Sequence, residues 1–244
     1  MKTKAKKASQ EKLKLTWYGH SAFLMQAPGG KAVLVDPWLD NPKAPAGAKD
    51  TTIVDLILIT HGHSDHVGNT VEVAKRTGAK VVSIYEICLY MQSQGLANAQ
   101  GMNKGGTTDI NGIKVTMVDA LHSSDLDVGG AVVPGGEAAG FVIEFENGFT
   151  AYHAGDTAVF GDMKLIAKLY KPQLALLPIG GLYTMGPREA AYACGLMKPH
   201  HIIGMHYGTL PVLTGTPGEL KKYLPAPLKK RVMELEPGQT VTIA

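Results

Sequence analysis

Three imidazoles and a carboxylate lie within six consecutive residues of this sequence. The segment reads His61-Gly62-His63-Ser64-Asp65-His66. Ring nitrogens and a carboxylate oxygen at such close spacing suit zinc or a similar divalent ion. Taken singly, Asp65 could be the N-cap of a helix and His61 a hydrogen-bonded loop residue. Four such side chains together predict a metal site.

The elements on either side can position this cluster. The apolar run at residues 53–59 has the length of a strand buried on both faces, and an amphipathic, helix-like pattern follows at residues 69–77. Gly62 permits a tight turn at the strand's end, so that His61 and His63 can point the same way. The sequence therefore predicts a strand, a ligand loop and a helix.

The hairpin that precedes this unit occurs twice. Apolar runs joined by turn residues predict an antiparallel meander over residues 13–36, which ends at Asp36. A second hairpin over residues 141–156 ends in the same way at Asp156. Strand and helix patterns follow both, so we predict two copies of one hairpin–strand–helix–strand unit. Two sheets packed face to face with helices outside would make an α/β layered fold.

Two local features of the second copy are predicted from turn chemistry. Asn147-Gly148 favours a type I′ turn in its hairpin. Residues 125–138 contain four glycines and a proline between few apolar residues. We expect a long loop there, of the kind that borders a functional site.

Three more ligand-type side chains fall at predicted strand ends. His122 follows a strand predicted at residues 113–118, Asp156 ends the second hairpin, and His206 ends a later strand. Alone, Asp156 could be a turn residue and His206 a buried strand histidine. Because strand carboxyl ends share one edge of such sheets, we expect all three beside the histidine cluster.

Three other polar residues lie near the predicted site without matching a ligand position. Asp36, at a strand end, could accept the second N–H of a ligand histidine, or could cap the turn before Pro37. His20 could contact substrate or make a structural hydrogen bond. We expect His153 to pack or hydrogen-bond beside its hairpin.

Composition is that of an ordinary globular protein. The chain has 244 residues and a net charge of +3, with six lysines in its first 14 positions. We predict a flexible basic tail at residues 1–12 and one domain at residues 13–244. No apolar run reaches the ~18 residues of a membrane span, and no signal peptide is recognisable, so we expect a cytoplasmic protein. Cys88 and Cys194 are predicted to be buried free thiols in helices.

The cluster at residues 61–66 resembles the His-x-His-x-Asp-His motif of the metallo-β-lactamase superfamily. Further segments, at residues 19–23, 152–157, 177–180, 183–187 and 205–209, look like metal-dependent hydrolases similar to ascorbate-phosphate lactonase. The resemblance implies a four-layered αβ/βα sandwich that holds two metal ions. It assigns His61, His63 and His122 to one ion, Asp65, His66 and His206 to the other, and Asp156 to both.

The resemblance also implies a reaction. A hydroxide bound to two divalent metal ions, oriented by Asp65, would attack a small ester, lactone or phosphoester. Zinc is expected, with manganese, nickel or iron as alternatives. Other branches of the superfamily keep two functions open, an iron redox enzyme and a nucleic-acid phosphodiesterase. We expect a small-molecule substrate, no membrane or nucleic-acid partner, and an assembly of identical subunits.

Overall fold

The antiparallel meander predicted at the start of the chain forms one end of a seven-stranded sheet. In a computed structural model, which describes residues 12–243, its strand order is β16-β1-β2-β3-β4-β5-β6. The pairs from β16 to β3 are antiparallel and those from β3 to β6 are parallel. The strands are β1 (Leu13–Trp17), β2 (Phe23–Gln26), β3 (Ala32–Val35), β4 (Leu56–Leu58), β5 (Lys80–Ile84), β6 (Gln100–Met102) and β16 (Thr240–Ile243).

A second seven-stranded sheet repeats this arrangement. Its order is β15-β14-β13-β12-β11-β8-β7, antiparallel from β7 to β12 and parallel from β12 to β15. The strands are β7 (Thr107–Ile110), β8 (Ile113–Asp119), β11 (Ala139–Glu144), β12 (Thr150–His153), β13 (Leu174–Pro178), β14 (His201–Met205) and β15 (Val232–Met233).

The two sheets confirm the predicted duplication. The β2–β3 hairpin corresponds to β11–β12, and Asp36 follows the first hairpin as Asp156 follows the second. Every residue of β3, β4, β12 and β13 is buried, as expected for strands covered on both faces. The predicted α/β layered fold, a four-layered αβ/βα sandwich, is confirmed.

Short helices connect the parallel strands. α1 carries half of the ligand cluster, and the C-terminus of α2 is closed by Gly78 in the left-handed conformation. Cys88 and Cys194 lie buried and unpaired in α3 and α5, as predicted. The helices are α1 (Ser64–Val67), α2 (Thr70–Thr77), α3 (Tyr85–Ser93), α4 (Met163–Tyr170), α5 (Pro187–Met197), α6 (Pro217–Tyr223) and α7 (Ala226–Lys229).

Two local predictions were wrong. Residues 125–138 are not a structureless loop, because β9 (Asp125–Val128) and β10 (Ala131–Pro134) pair as a separate antiparallel ribbon. The Asn147-Gly148 turn is not type I′, which needs positive φ at both central residues. Only Gly148 has positive φ (82°), and the loop spans three residues between Phe145 and Phe149, whose backbones are hydrogen-bonded.

The predicted basic tail lies almost wholly outside the described residues. Within residues 12–243, no helix is both long enough and apolar enough to cross a membrane.

Candidate metal centre

All seven side chains assigned to metal binding meet at one edge of the sandwich. Each follows a strand or lies in the helix just beyond one: His61 and His63 come after β4, Asp65 and His66 lie in α1, His122 follows β8, Asp156 follows β12, and His206 follows β14. The first four come from one half of the chain and the last three from the other. The tertiary fold therefore assembles the set from both copies of the repeat.

The first group contains three histidines. Ligand nitrogens of His61, His63 and His122 lie within 4.8 Å of one another. Nε2 of His61 is 2.9 Å from Nδ1 of His63, so these two nitrogens face a common point. A third imidazole ring, that of His122, is centred 5.0 Å from the ring of His61. Three convergent nitrogens suit a divalent ion.

The second group contains Asp65, His66 and His206, with His20 alongside. One ligand atom from each of the four lies within 4.8 Å of the others. Oδ2 of Asp65 is 3.9 Å from Nε2 of His66 and 3.8 Å from Nε2 of His206. One oxygen and two nitrogens of this group could together hold a divalent ion.

Asp156 lies between the two groups. Its Oδ2 is 2.9 Å from Nε2 of His206, 3.3 Å from Nε2 of His66 and 3.7 Å from Nε2 of His122. Its Oδ1 is buried and makes no hydrogen bond to any residue of the described chain, and the same holds for Nε2 of His66. Buried polar atoms without partners are costly, so these two atoms fit a site built to bind cations.

Asp36 supports one candidate ligand of each group on the side away from the centre. Its Oδ2 accepts hydrogen bonds from Nδ1 of His66 (2.8 Å) and from the hydroxyl of Thr60 (2.7 Å). That hydroxyl is also 3.0 Å from Nδ1 of His61 and can accept its N–H. Asp36 therefore fixes the Nδ1–H of His66 directly and that of His61 through Thr60, which leaves the Nε2 atoms of both candidate ligands facing the centre.

Asp125 is a supporting residue that sequence reasoning missed. Its Oδ1 is 2.9 Å from Nε2 of His63, a carboxylate–imidazole contact that orients Nδ1 toward the first group. The β9–β10 ribbon can come this close because a Cβ on Gly62 would lie 2.4 Å from the carbonyl oxygen of Asp125. In the sequence, only the run of polar residues Ser123-Ser124-Asp125 after His122 indicates such a contact.

His20 lies behind Asp65 with no exposed surface. Its Nε2 is 3.0 Å from Oδ2 of Asp65, and its Nδ1 is 2.9 Å from the hydroxyl of Thr209. Its carbonyl accepts the backbone N–H of His206 (3.1 Å). His20 (φ 51°) and His206 (φ 55°) both adopt the left-handed conformation, a strain that is typical of functional sites.

Comparison with known proteins agrees with this geometry. Residues 14–206 match the family described as Beta-lactamase superfamily domain. The chain belongs to the metallo-β-lactamase superfamily. It is 51% identical over 229 residues to a UPF0173 metal-dependent hydrolase of Koribacter versatilis, across 93% of this chain and 97% of that protein. It is 46% identical over 232 residues to one of Methanosarcina mazei, across 95% and 99%.

A solved structure extends the relationship. Igni18, described as a metallo hydrolase from the archaeon Ignicoccus hospitalis, superposes with a TM-score of 0.86 at 37% identity. The match covers 95% of this chain and 98% of Igni18. The predicted superfamily is therefore confirmed, and the chain is a metal-dependent hydrolase.

The charges of the hydrolase's centre also favour a cation. Burial lowers the pKa of His66, but Asp156 and Asp36 outweigh it and hold the pKa well above its usual value. Burial is likewise outweighed at His206, where Asp156 raises the pKa to about 9. The pKa of His61 lies well below its usual value because of burial and the nearby His66. The two carboxylates therefore attract positive charge, which a divalent ion supplies once its histidine ligands are deprotonated.

His153 makes only structural contacts, as predicted. It is fully buried, and its Nε2 donates to the carbonyl of Ser21 (3.0 Å) while its Nδ1 accepts the N–H of Gly155 (3.2 Å). The bond to Ser21 joins the hairpin of the second half to the first half, and the bond to Gly155 fixes the turn that follows β12.

Proposed function

We propose that the hydrolase holds two divalent ions and cleaves a small ester, lactone or phosphoester. The observation that supports this most strongly is Asp156, whose carboxylate lies between two separate ligand groups and has one oxygen without a partner. His61, His63 and His122 would hold one ion, Asp65, His66 and His206 the other, and Asp156 both. Zinc is our first choice, and the nitrogen and oxygen ligands also suit manganese, nickel or iron.

Bound metal ions would supply a nucleophile from water near neutral pH and a Lewis acid for the substrate's oxygen. Among the carboxylates of Asp36, Asp65 and Asp156, those of Asp36 and Asp156 are almost fully buried, whereas the Asp65 side chain is 29% exposed. Because it is partly exposed, Asp65 can bind a metal ion through one oxygen and contact the attacking water through the other. We therefore propose that Asp65 orients that water. In ester cleavage, the water oxygen bonds to the acyl carbon, the carbon–oxygen bond to the leaving group breaks, and a water proton passes to the leaving oxygen.

The substrate is proposed to be a small molecule free in the cytoplasm. Two buried, unpaired thiols, Cys88 and Cys194, are compatible with that reducing compartment. An assembly of identical subunits stays a proposal.

The test combines metal analysis with activity. Protein purified without added metal or chelator would be assayed for metal content and for hydrolysis of bis-p-nitrophenyl phosphate and a panel of lactones and esters. We expect roughly two ions per chain and turnover that a chelator abolishes and zinc restores. One iron with oxygen uptake and no hydrolysis would instead establish a redox enzyme, and cleavage of nucleic acids alone would establish a phosphodiesterase.

A further inference from the structure

An open groove of about 870 Å³ lies beside the metal centre, between α4 and the segment that follows β8. Three large apolar side chains line it and are exposed: Leu121 (50%), Leu165 (49%) and Leu169 (60%). A single exposed leucine is ordinary, but three that converge on one groove indicate a binding surface. The volume falls within the range of small-molecule sites.

Helix α4 contributes two apolar faces. Met163 and Ile166 are buried in the core, whereas Leu165 and Leu169, four residues apart, lie one above the other and face the groove. The groove therefore has a floor of core residues, Ile166 among them, and a rim formed by Leu165 and Leu169 that packing of the core does not bury.

The groove reaches the metal centre through His122. This histidine lines the groove, and its Nε2 is also 3.7 Å from Oδ2 of Asp156. A ligand in the groove would thus extend from α4 to the first ligand group. Because the groove is continuous with the metal centre, substrate is the favoured occupant.

The charges of the groove disfavour an anion. Nζ of Lys104, the groove's one lysine among the described residues, is 2.6 Å from Oδ1 of Asp119 and 3.0 Å from Oε2 of Glu137. Asp162 adds a third carboxylate to the lining. An anionic group would therefore meet an excess of negative charge, whereas an uncharged apolar group would not.

We propose that this groove binds an uncharged alkyl or aryl part of the substrate. The substrate class is then an ester or lactone that carries an apolar chain, rather than one whose groove-bound part is anionic. The inference rests on the proposed hydrolysis at the metal centre and adds the substrate class.

The first test measures chain-length dependence in the zinc-loaded enzyme. With p-nitrophenyl acetate, butyrate, hexanoate and octanoate, kcat/KM should rise by roughly two- to fourfold per methylene, because each one leaves water for the groove. The double variant Leu165→Gln/Leu169→Gln should flatten this rise, so that its ratio of octanoate to acetate kcat/KM falls by about tenfold or more relative to the wild type. Leu89→Gln, at an exposed leucine of α3 (47%), is the matched control and should keep the rise.

A second test measures binding without turnover. Saturation-transfer NMR should detect octan-1-ol on the wild type and on the Leu89→Gln variant, and should lose most of the signal on the double variant. Equal signals in all three proteins would overturn the groove assignment even if no ester is cleaved. An unchanged chain-length dependence together with loss of a dimer in the double variant would also overturn it, since the groove would then be an interface between subunits. Failure of the wild type to cleave any ester, with octan-1-ol binding still dependent on the two leucines, would refute only the proposed reaction.

Discussion

The Asp36 carboxylate accepts two hydrogen bonds from Thr60, one from its backbone N–H (2.8 Å) and one from its hydroxyl (2.7 Å). The Thr60 hydroxyl in turn contacts Nδ1 of His61, and Asp36 itself accepts a hydrogen bond from Nδ1 of His66. One buried carboxylate thereby supports a proposed ligand of each metal ion. Asp36 has φ 46°, so the backbone takes an unfavourable conformation to bring it there.

Asp36→Asn should weaken metal binding at both positions. The amide can present N–H groups where two donors now point, so His61 and His66 lose their orientation. We expect a loss of about 10- to 100-fold in zinc affinity, measured by competition with a chromogenic chelator. Thr60→Val keeps the backbone bond but removes the link to His61, so it should affect one ion more than the other. Full affinity for both ions in Asp36→Asn would contradict this role.

Asp125→Asn should weaken the first ion only. The amide is a poorer acceptor for the N–H of His63, and a loss of roughly 10-fold in affinity is expected. Asp127→Asn on the same strand is the matched control, because Asp127 caps the ribbon's turn through the N–H of Gly130 (2.7 Å). Equal losses in the two variants would mean that ribbon stability, and not the His63 contact, is responsible.

Replacing the proposed bridging ligand should have a larger effect than replacing a ligand of one ion. His122→Ala removes a nitrogen from the first group alone, and we expect the variant to retain about one ion per chain. Asp156→Ala removes the carboxylate that both groups face, and we expect it to retain almost none. Elemental analysis after gel filtration measures both. Two ions retained by Asp156→Ala would exclude the bridge.

His20→Asn should lower kcat more than it raises KM. Asparagine tolerates the left-handed backbone at residue 20, so the change mainly removes the contact to Asp65 and frees that carboxylate. We expect a decrease of about 10-fold in kcat with metal content unchanged. Co²⁺-substituted protein should show an altered visible spectrum, which a purely structural effect away from the centre would not produce. Loss of the second ion would instead make His20 a support for binding.

His153 should make stability depend on pH. Burial lowers its pKa in the folded state, so the neutral imidazole contributes stability above about pH 6.5 that is lost as the pH falls below that value. His153→Gln should therefore be less stable than the wild type at pH 8, and the difference should shrink by up to about 1.4 kcal/mol per pH unit below 6.5. Chemical denaturation of the metal-loaded proteins between pH 8 and 5 measures this. A difference that stays constant with pH would contradict it.

Much of the fold could be predicted because its signals are local. The meander, the buried strand before His61 and the helix ended by Gly78 follow from periodicity and turn residues, and the duplication follows from comparing two halves of one chain. The ribbon at Asp125 could not be predicted in this way. Its apolar residues lie among glycines and acidic residues, which favour a loop. It forms because β9 and β10 pair with each other, beside the loop that contains Gly62.

The sequence by itself determined which side chains could bind metal, because ligand chemistry depends on residue type and close spacing, and it determined the superfamily through the motif at His61. Only the tertiary structure decided which residues hydrogen-bond to these candidate ligands and orient them. Asp36, Asp125 and His20 lie far along the chain from the side chains they contact, at 30, 62 and 45 residues. Hydrogen bonds of this kind depend on distances of about 3 Å between separate elements, which no local pattern of residues specifies.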